Sequence, residues 1–286
     1  MSKVLVTGAN GQLGKCIKDA SKNFNEHSFV FVSREQLDVA DKVAVLSTFE
    51  KDSFDYCINA AAYTNVEKAE SDKDNAYRVN AEGARNIAEA CNETKTKLIH
   101  ISTDYVFDGT KTSPYVESDA TNALSVYGAS KLKGEEWIRE KCARHFILRT
   151  SWLYSQYGHN FYNSMLRFAE EGRKLSITTE QLGTPTNAND LAMAALQIVD
   201  ASSEAYGIYH YSNEGAATWF DFAEAIFRHT GKLDSVTLEK TDHYRTFAAR
   251  PAYSILNKEK FFQQFSAPRL DWQESLKILI DNNKRV

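Results

Sequence analysis

The sequence predicts an α/β protein, a Rossmann-type doubly wound parallel sheet with a smaller mixed α/β lobe. Three observations carry this expectation. Short β-rich apolar runs alternate with helix-length amphipathic segments through the first half, a glycine-spaced turn joins the first run to the first helix, and 286 residues is long for one domain and short for three.

Strands are predicted at Lys3–Thr7, Ser28–Val32, Asp55–Asn59, Lys97–Ser102 and His145–Thr150. Between them, Asn75–Cys91 and Ala129–Lys141 place apolar residues at spacings of three and four, the period of a helix with one buried face. Strict alternation implies βαβ units, whose right-handed crossovers put helices on both faces of the sheet. The second half is less regular. It reads as a helix over His159–Glu171, a strand over Leu175–Thr178, a helix over Asn189–Ala201, a strand over Gly207–Tyr211, a helix over Trp219–His229 and a terminal helix from Asp271. With no repeat, low-complexity tract or Pro/Gly linker, the two lobes are expected to intertwine.

Composition narrows the function class. The net charge is −4 with Lys and Arg scattered, which provides no electrostatic footprint for nucleic acid or an anionic membrane. Cys16, Cys57, Cys91 and Cys142 form no C-x-x-C pair and read as core thiols. The start runs directly into a strand without a signal-peptide apolar region, and no stretch approaches the ~20 apolar residues of a membrane helix, so a cytoplasmic protein is expected. The histidines show no H-x-x-x-H spacing, and no metal is expected.

The chemistry begins at Gly8-Ala9-Asn10-Gly11-Gln12-Leu13-Gly14. Glycines at this spacing permit a tight turn and close backbone approach, and the following helix offers free N–H groups and a partial positive charge to a pyrophosphate. The second strand ends in Ser33-Arg34-Glu35, where an acid would hold the ribose of NAD. Arg34 would suit the 2′-phosphate of NADP, a solvated surface arginine being the competing reading. NADPH is therefore expected ahead of NADH.

Tyr127 and Lys131 stand four apart on a predicted helix and share a face. Thr103 follows the fourth predicted strand, at the carboxyl edge where open α/β sheets bind ligands. A free phenol titrates near ~10, so an efficient acid near neutrality would need it lowered by roughly three units, about 4 kcal/mol. One ammonium at ~4 Å supplies about that much at an effective dielectric near 20.

Several further stretches add specificity: Asn59 to Glu70, Ser102 to Gly109, Tyr127 to Glu135, Leu148 to Tyr154, Gln181 to Thr186, and Arg250-Pro251 with Ser254. On these motifs, across essentially the whole chain, the sequence resembles the extended short-chain dehydrogenase/reductase superfamily, and within it the branch that reduces 4-keto sugar nucleotides. The resemblance implies that Tyr127 protonates the 4-oxygen, Lys131 lowers its pKa and holds the nicotinamide ribose, and Thr103 polarises the carbonyl. It places Gly11, Gln12 and Leu13 at the pyrophosphate, Asp38 and Val39 at the adenine, and Ala62, Tyr63 and Thr64 in a third-strand cofactor loop. Asp104, Val106 and Trp152 fall on substrate positions, with Trp152 alternatively a core residue, and Asn160 and Arg250 are further candidate ligands. Residues 1–155 are expected to form the NAD(P)-binding domain with 172–206 returning to it, and 156–286 mainly a substrate-binding lobe.

Related 4,6-dehydratases carry an Asp-Glu pair after the threonine, whereas this chain has Asp104-Tyr105, so elimination is not expected. Cys16 and Asn189 stand where some relatives place metal-bridging glutamates, which removes the expectation of a metal-linked dimer and leaves another homodimer open. The implied reaction is reduction of dTDP-4-dehydro-L-rhamnose by NADPH or NADH. The alternatives are reduction of another 4-keto sugar nucleotide, or a non-catalytic NADP-binding regulatory subunit of the methionine adenosyltransferase type.

Overall fold

The computed structural model describes residues 1–242 and 245–284. The first half runs β1 (Lys3–Thr7), α1 (Gln12–Ala20), β2 (Ser28–Val32), α2 (Lys42–Lys51), β3 (Tyr56–Asn59), α3 (Val66–Ala69), α4 (Lys73–Tyr77), α5 (Gly83–Thr94), β4 (Lys97–Thr103), α6 (Val126–Lys141) and β5 (His145–Thr150). There follow β6 (Leu153–Tyr154), α7 (Phe161–Glu170), β7 (Leu175–Thr178), β8 (Leu182–Gly183), β9 (Thr186–Asn187), α8 (Ala188–Asp200), β10 (Gly207–His210), β11 (Ala217–Thr218), α9 (Trp219–Thr230), β12 (Leu238–Thr241), α10 (Glu259–Gln264) and α11 (Trp272–Asn283).

The central sheet has the order β10-β5-β4-β3-β1-β2, and every pairing in it is parallel. Strand β1 shows why the sheet must be covered on both sides. Val4 and Val6 point into a core with Leu13 and Ile17 of α1 and Leu191 and Ala195 of α8. Leu5, between them, joins the opposite core with Val45 of α2, Ile87 of α5 and Ile138 of α6. All four cysteines are buried in these layers, and burial pushes the Cys16 thiol up to about 12.

The chain crosses from β1 outward to β2 and then back past β1 to β3, so the strand order reverses there. Such a reversal opens a crevice beyond the carboxyl ends of β1 and β3. A third core forms away from the sheet, from Tyr154, Tyr162 and Met165 with Phe222, Phe227, Trp272 and Leu276. Strand β7 pairs there with β12, while α8 and β10 pack into the central layers. Among the described residues no helix is long and apolar enough to cross a membrane.

One predicted helix is interrupted. Asn75–Cys91 reads as continuous, yet Arg78–Glu82 forms a π-helical turn between α4 and α5. The wider turn turns Asn80 inward, and its carbonyl lies where a Cβ on Gly134 of α6 would come within 2.3 Å. The apolar pattern resumes beyond it, which is why periodicity alone conceals the break.

Candidate active site

The glycine turn is built by close contact. Gly8 has φ +67°, and a Cβ on it would lie 2.7 Å from the Ala61 nitrogen at the end of β3. A Cβ on Gly14 would lie 2.4 Å from the Gly8 carbonyl, whose oxygen also accepts from Gly11 N–H at 2.9 Å. Gly11 starts α1 without a side-chain cap, and a Cβ there would meet only the Gly8 oxygen, at 3.2 Å. The result is a backbone cradle at a helix N-terminus that a side chain would fill, which suits a dinucleotide pyrophosphate. Leu13 turns away into the core. Gln12 reaches the segment from β6 to the start of α7: its amide donates to Leu153 O at 3.4 Å and accepts from Ser155 Oγ and Asn160 Nδ2, both at 3.3 Å. Asn160 itself caps α7 through Asn163 N–H at 3.0 Å and donates to Ser155 O at 2.9 Å.

Past β2, Arg34 is exposed while the Glu35 carboxylate is taken up by Ser33 Oγ at 2.6 Å. Asp38 accepts from Ala40 N–H and from Arg78 at 3.1 Å; against the effect of burial, these two hold its carboxyl below the usual range. Val39 is buried against Gly83, with its carbonyl bound by Asn86. In the loop after β3, Ala62 is half-buried and Thr64 exposed. Asn80 accepts from Tyr63 N–H at 2.8 Å, donates to Tyr63 O at 3.0 Å and donates to Ser130 Oγ at 2.9 Å, pinning this loop to α6.

Thr103 ends β4 opposite Thr150 of β5. Ser125 caps α6 through Gly128 N–H, and a Cβ on Gly128 would lie 2.2 Å from Tyr105 O, so glycine is what lets the helix start press against this edge. The Thr103 hydroxyl donates to Asp104 Oδ1 at 3.1 Å and accepts from Tyr105 N–H at 3.2 Å, and Tyr127 stands in the first turn of α6, which the Gly128 contact presses against this edge. Lys131, one turn along α6, is buried and donates to Ile101 O at 2.6 Å beside His100 Nε2 at 3.2 Å. His100 Nδ1 lies 3.1 Å from Asn59 Nδ2, and Asn59 Oδ1 accepts from Thr7 at 2.7 Å, so a polar chain crosses the sheet from α6 to β1.

The expected lowering of Tyr127 by Lys131 is corrected by this arrangement. Burial pushes the phenol up to about 12, with Thr103 opposing, and burial pulls Lys131 down to about 8, with Glu135 opposing. Burial is the larger cause in both, and the buried ammonium is satisfied by Ile101 O beside His100. Burial likewise raises the Asp104 carboxyl to about 7, against the hydrogen bond from Thr103. The Tyr105 ring meets Tyr127 edge-on at 5.8 Å, and burial raises its phenol with the Arg250 charge opposing. Arg250 also pairs with Glu67 at 2.7 Å. Val106 is fully buried with Phe107, Tyr115 and Leu256. Trp152 is half-buried just beyond β5 with φ +44°, a left-handed backbone that costs a non-glycine residue on the order of 1–3 kcal/mol.

Asn80 and His100 were not among the candidates read from the sequence. His100 left a signal, a lone polar residue inside the apolar run Leu98-Ile99-His100-Ile101, which demands a buried partner. Asn80 left none, since its role depends on the π turn.

Residues 2–285 match the family model described as the RmlD substrate binding domain. The chain belongs to that family. It is 38% identical over 287 residues to dTDP-4-dehydrorhamnose reductase of Aggregatibacter actinomycetemcomitans, covering 97% of this chain and 98% of that one. Two solved members superpose closely. The dTDP-4-dehydrorhamnose reductase of Clostridium acetobutylicum has a TM-score of 0.93 at 37% identity, covering 99% of each chain. That of Bacillus anthracis, solved in complex with NADP, has a TM-score of 0.93 at 36% identity, covering 98% of this chain and 99% of that one. The family thus has a nearly unbroken match along both the sheet and the outer lobe.

Proposed function

We propose that this chain is a dTDP-4-dehydrorhamnose reductase, using NADPH to convert dTDP-4-dehydro-L-rhamnose to dTDP-L-rhamnose in the cytoplasm. The observation that carries the reading is Thr103 at the carboxyl end of β4, with Tyr127 in the first turn of α6 and Lys131 one turn on, at the edge of the sheet that also bears the glycine cradle. The names of the family members and the NADP held by one of them support it.

In this reading Gly8, Gly11, Gln12, Leu13 and Gly14 hold the pyrophosphate, Arg34 the 2′-phosphate, Asp38 and Val39 the adenine side, and Ala62, Tyr63 and Thr64 the near side of the dinucleotide. The bound nicotinamide supplies a hydride to C4 of the sugar. Tyr127, with its phenol at about 12, holds its proton at neutral pH and delivers it to the 4-oxygen as negative charge develops there. The Thr103 hydroxyl donates a hydrogen bond to the same oxygen, and the Lys131 ammonium stabilises the phenolate left behind. Asp104, Val106 and Trp152 of the 1–155 domain and Asn160 and Arg250 of the 156–286 lobe belong to the sugar-nucleotide side, with 172–206 returning to the 1–155 domain.

Purified protein is expected to oxidise NADPH only when dTDP-4-dehydro-L-rhamnose is added, and no turnover with any dTDP-keto-hexose overturns the assignment. Tyr127→Phe is expected to lower kcat by about 10²- to 10⁴-fold with NADPH affinity retained. A regulatory subunit would lose nothing measurable.

A further inference from the structure

Trp152 lies between β5 and β6, and its ring is framed by residues from other segments. It lies flat on Trp219, with centroids 3.7 Å apart and planes 7° apart. Gly183 touches the same indole so closely that a Cβ there would stand 2.6–2.8 Å from Cε2, Cζ2 and Nε1. Trp219 is itself fixed twice, by Nε1–H donating to Gln181 Oε1 at 2.8 Å and by the Phe161 ring at 4.7 Å.

Its backbone is fixed as well. Trp219 opens α9 behind a capping box, in which Thr218 and Asp221 satisfy each other's backbone N–H groups. The preceding strand β11 pairs antiparallel with β8, Ala217 opposite Gly183 and Thr218 opposite Leu182, which sets Trp219 beside the indole it covers. Leu182 also exchanges hydrogen bonds with Ala252 O and Ser254 N–H, tying this frame to the segment that follows Arg250.

We propose that Trp219 is a positioning residue for substrate: it holds Trp152 at the angle that seats the apolar face of the deoxysugar beside Thr103 and Tyr127. This rests on the reading that Trp152 contacts the sugar. The physical logic is that Trp152 pays a backbone strain that only surrounding contacts can sustain, and a flat aromatic partner supplies both area and orientation. The C–H face and the methyl group of a 6-deoxyhexose match an indole plane, whereas a ring free to rotate would offer that plane part of the time only.

The test is steady-state kinetics on the full-length enzyme with dTDP-4-dehydro-L-rhamnose and NADPH. Trp219→Ala is expected to raise KM for the sugar nucleotide about tenfold, with KM for NADPH changed by less than about twofold. Trp219→Phe keeps a flat ring and is expected to recover KM to within about threefold of the starting enzyme. If Trp219→Ala does not fold, Trp219→Leu, apolar but without a ring plane, takes its place with the same expectation. The stacked pair is also read directly, as a far-ultraviolet exciton couplet abolished by Trp152→Phe and by Trp219→Phe alike.

Two failures are distinguishable. If Trp152→Ala raises KM for the sugar nucleotide while Trp219→Ala and Trp219→Leu leave it unchanged, the positioning role is overturned and the reading of the site stands. If Trp152→Ala itself leaves that KM unchanged, the assignment of Trp152 to the sugar falls, and the inference with it.

Discussion

Glu135 and Arg149 form a two-pronged ion pair inside the protein, Nη2 to Oε2 at 2.7 Å and Nε to Oε1 at 3.0 Å, with side chains 2% and 3% exposed. Ser102 Oγ donates to the same carboxylate at 2.5 Å. Glu135 lies one turn beyond Lys131 on α6, and Arg149 and Ser102 lie next to Thr150 and Thr103 on β5 and β4. The pair therefore fastens the helix carrying the phenol and the ammonium to the strand ends they must face. Arg149→Met, which leaves Glu135 buried and alone, is expected to cost about 3–5 kcal/mol in denaturant unfolding. Replacing both by apolar residues is expected to cost much less than the sum of the single changes. Strictly additive losses would show that the two charges do not act as a pair.

Lys131 stabilises less than it serves. In the unfolded chain it keeps its proton to about 10.5, and in the fold to about 8. Between those values the unfolded state binds more protons, so stability contributed by this group rises with pH through that window and is missing below it. Lys131→Met is expected to be inactive yet more stable than the starting protein at pH 7, by about 3 kcal/mol. The advantage is expected to shrink between pH 8 and 10.5, measured by urea unfolding across that range. A difference that does not change with pH would mean that Lys131 is not depressed in the fold.

Coenzyme choice is expected to rest on Arg34. Removing one charged hydrogen bond to a phosphate costs about 1.5–3 kcal/mol, so Arg34→Ala is expected to raise KM for NADPH about 10- to 100-fold. KM for NADH is expected to stay within about twofold. Equal effects on both coenzymes would return Arg34 to the solvated surface.

Asn80 joins Tyr63 to Ser130. Asn80→Ala strands the Tyr63 backbone groups and is expected to cost about 1–3 kcal/mol of stability. Because the loop it pins is the proposed third-strand cofactor loop, KM for NADPH is expected to rise while that for the sugar nucleotide changes little. The opposite pattern would place Asn80 on the substrate side.

Much of this was legible in order. A strand buried on both faces needs an unbroken apolar run, so Lys3–Thr7 and His145–Thr150 were read with the bounds they have in the fold, and the half-buried edge strand Ser28–Val32 was read likewise from its β-rich apolar composition. The glycine turn was equally legible, because conformations that exclude a Cβ leave glycine as their trace. The π turn at Arg78–Glu82 was not legible, since it alters only the register of an otherwise helical pattern.

The sequence by itself thus determined the layering of helices on a parallel sheet, the glycine turn between β1 and α1 and the placing of Tyr127 and Lys131 on one helix face. These follow from periodicity and spacing within single segments. Only the tertiary structure decided that burial sets the Tyr127 and Lys131 pKa values, that His100 and Asn59 back the lysine, and that Trp152 is framed by Gly183 and Trp219. Desolvation and ring stacking depend on which distant segments close over a side chain, and that proximity has no signature in local order along the chain.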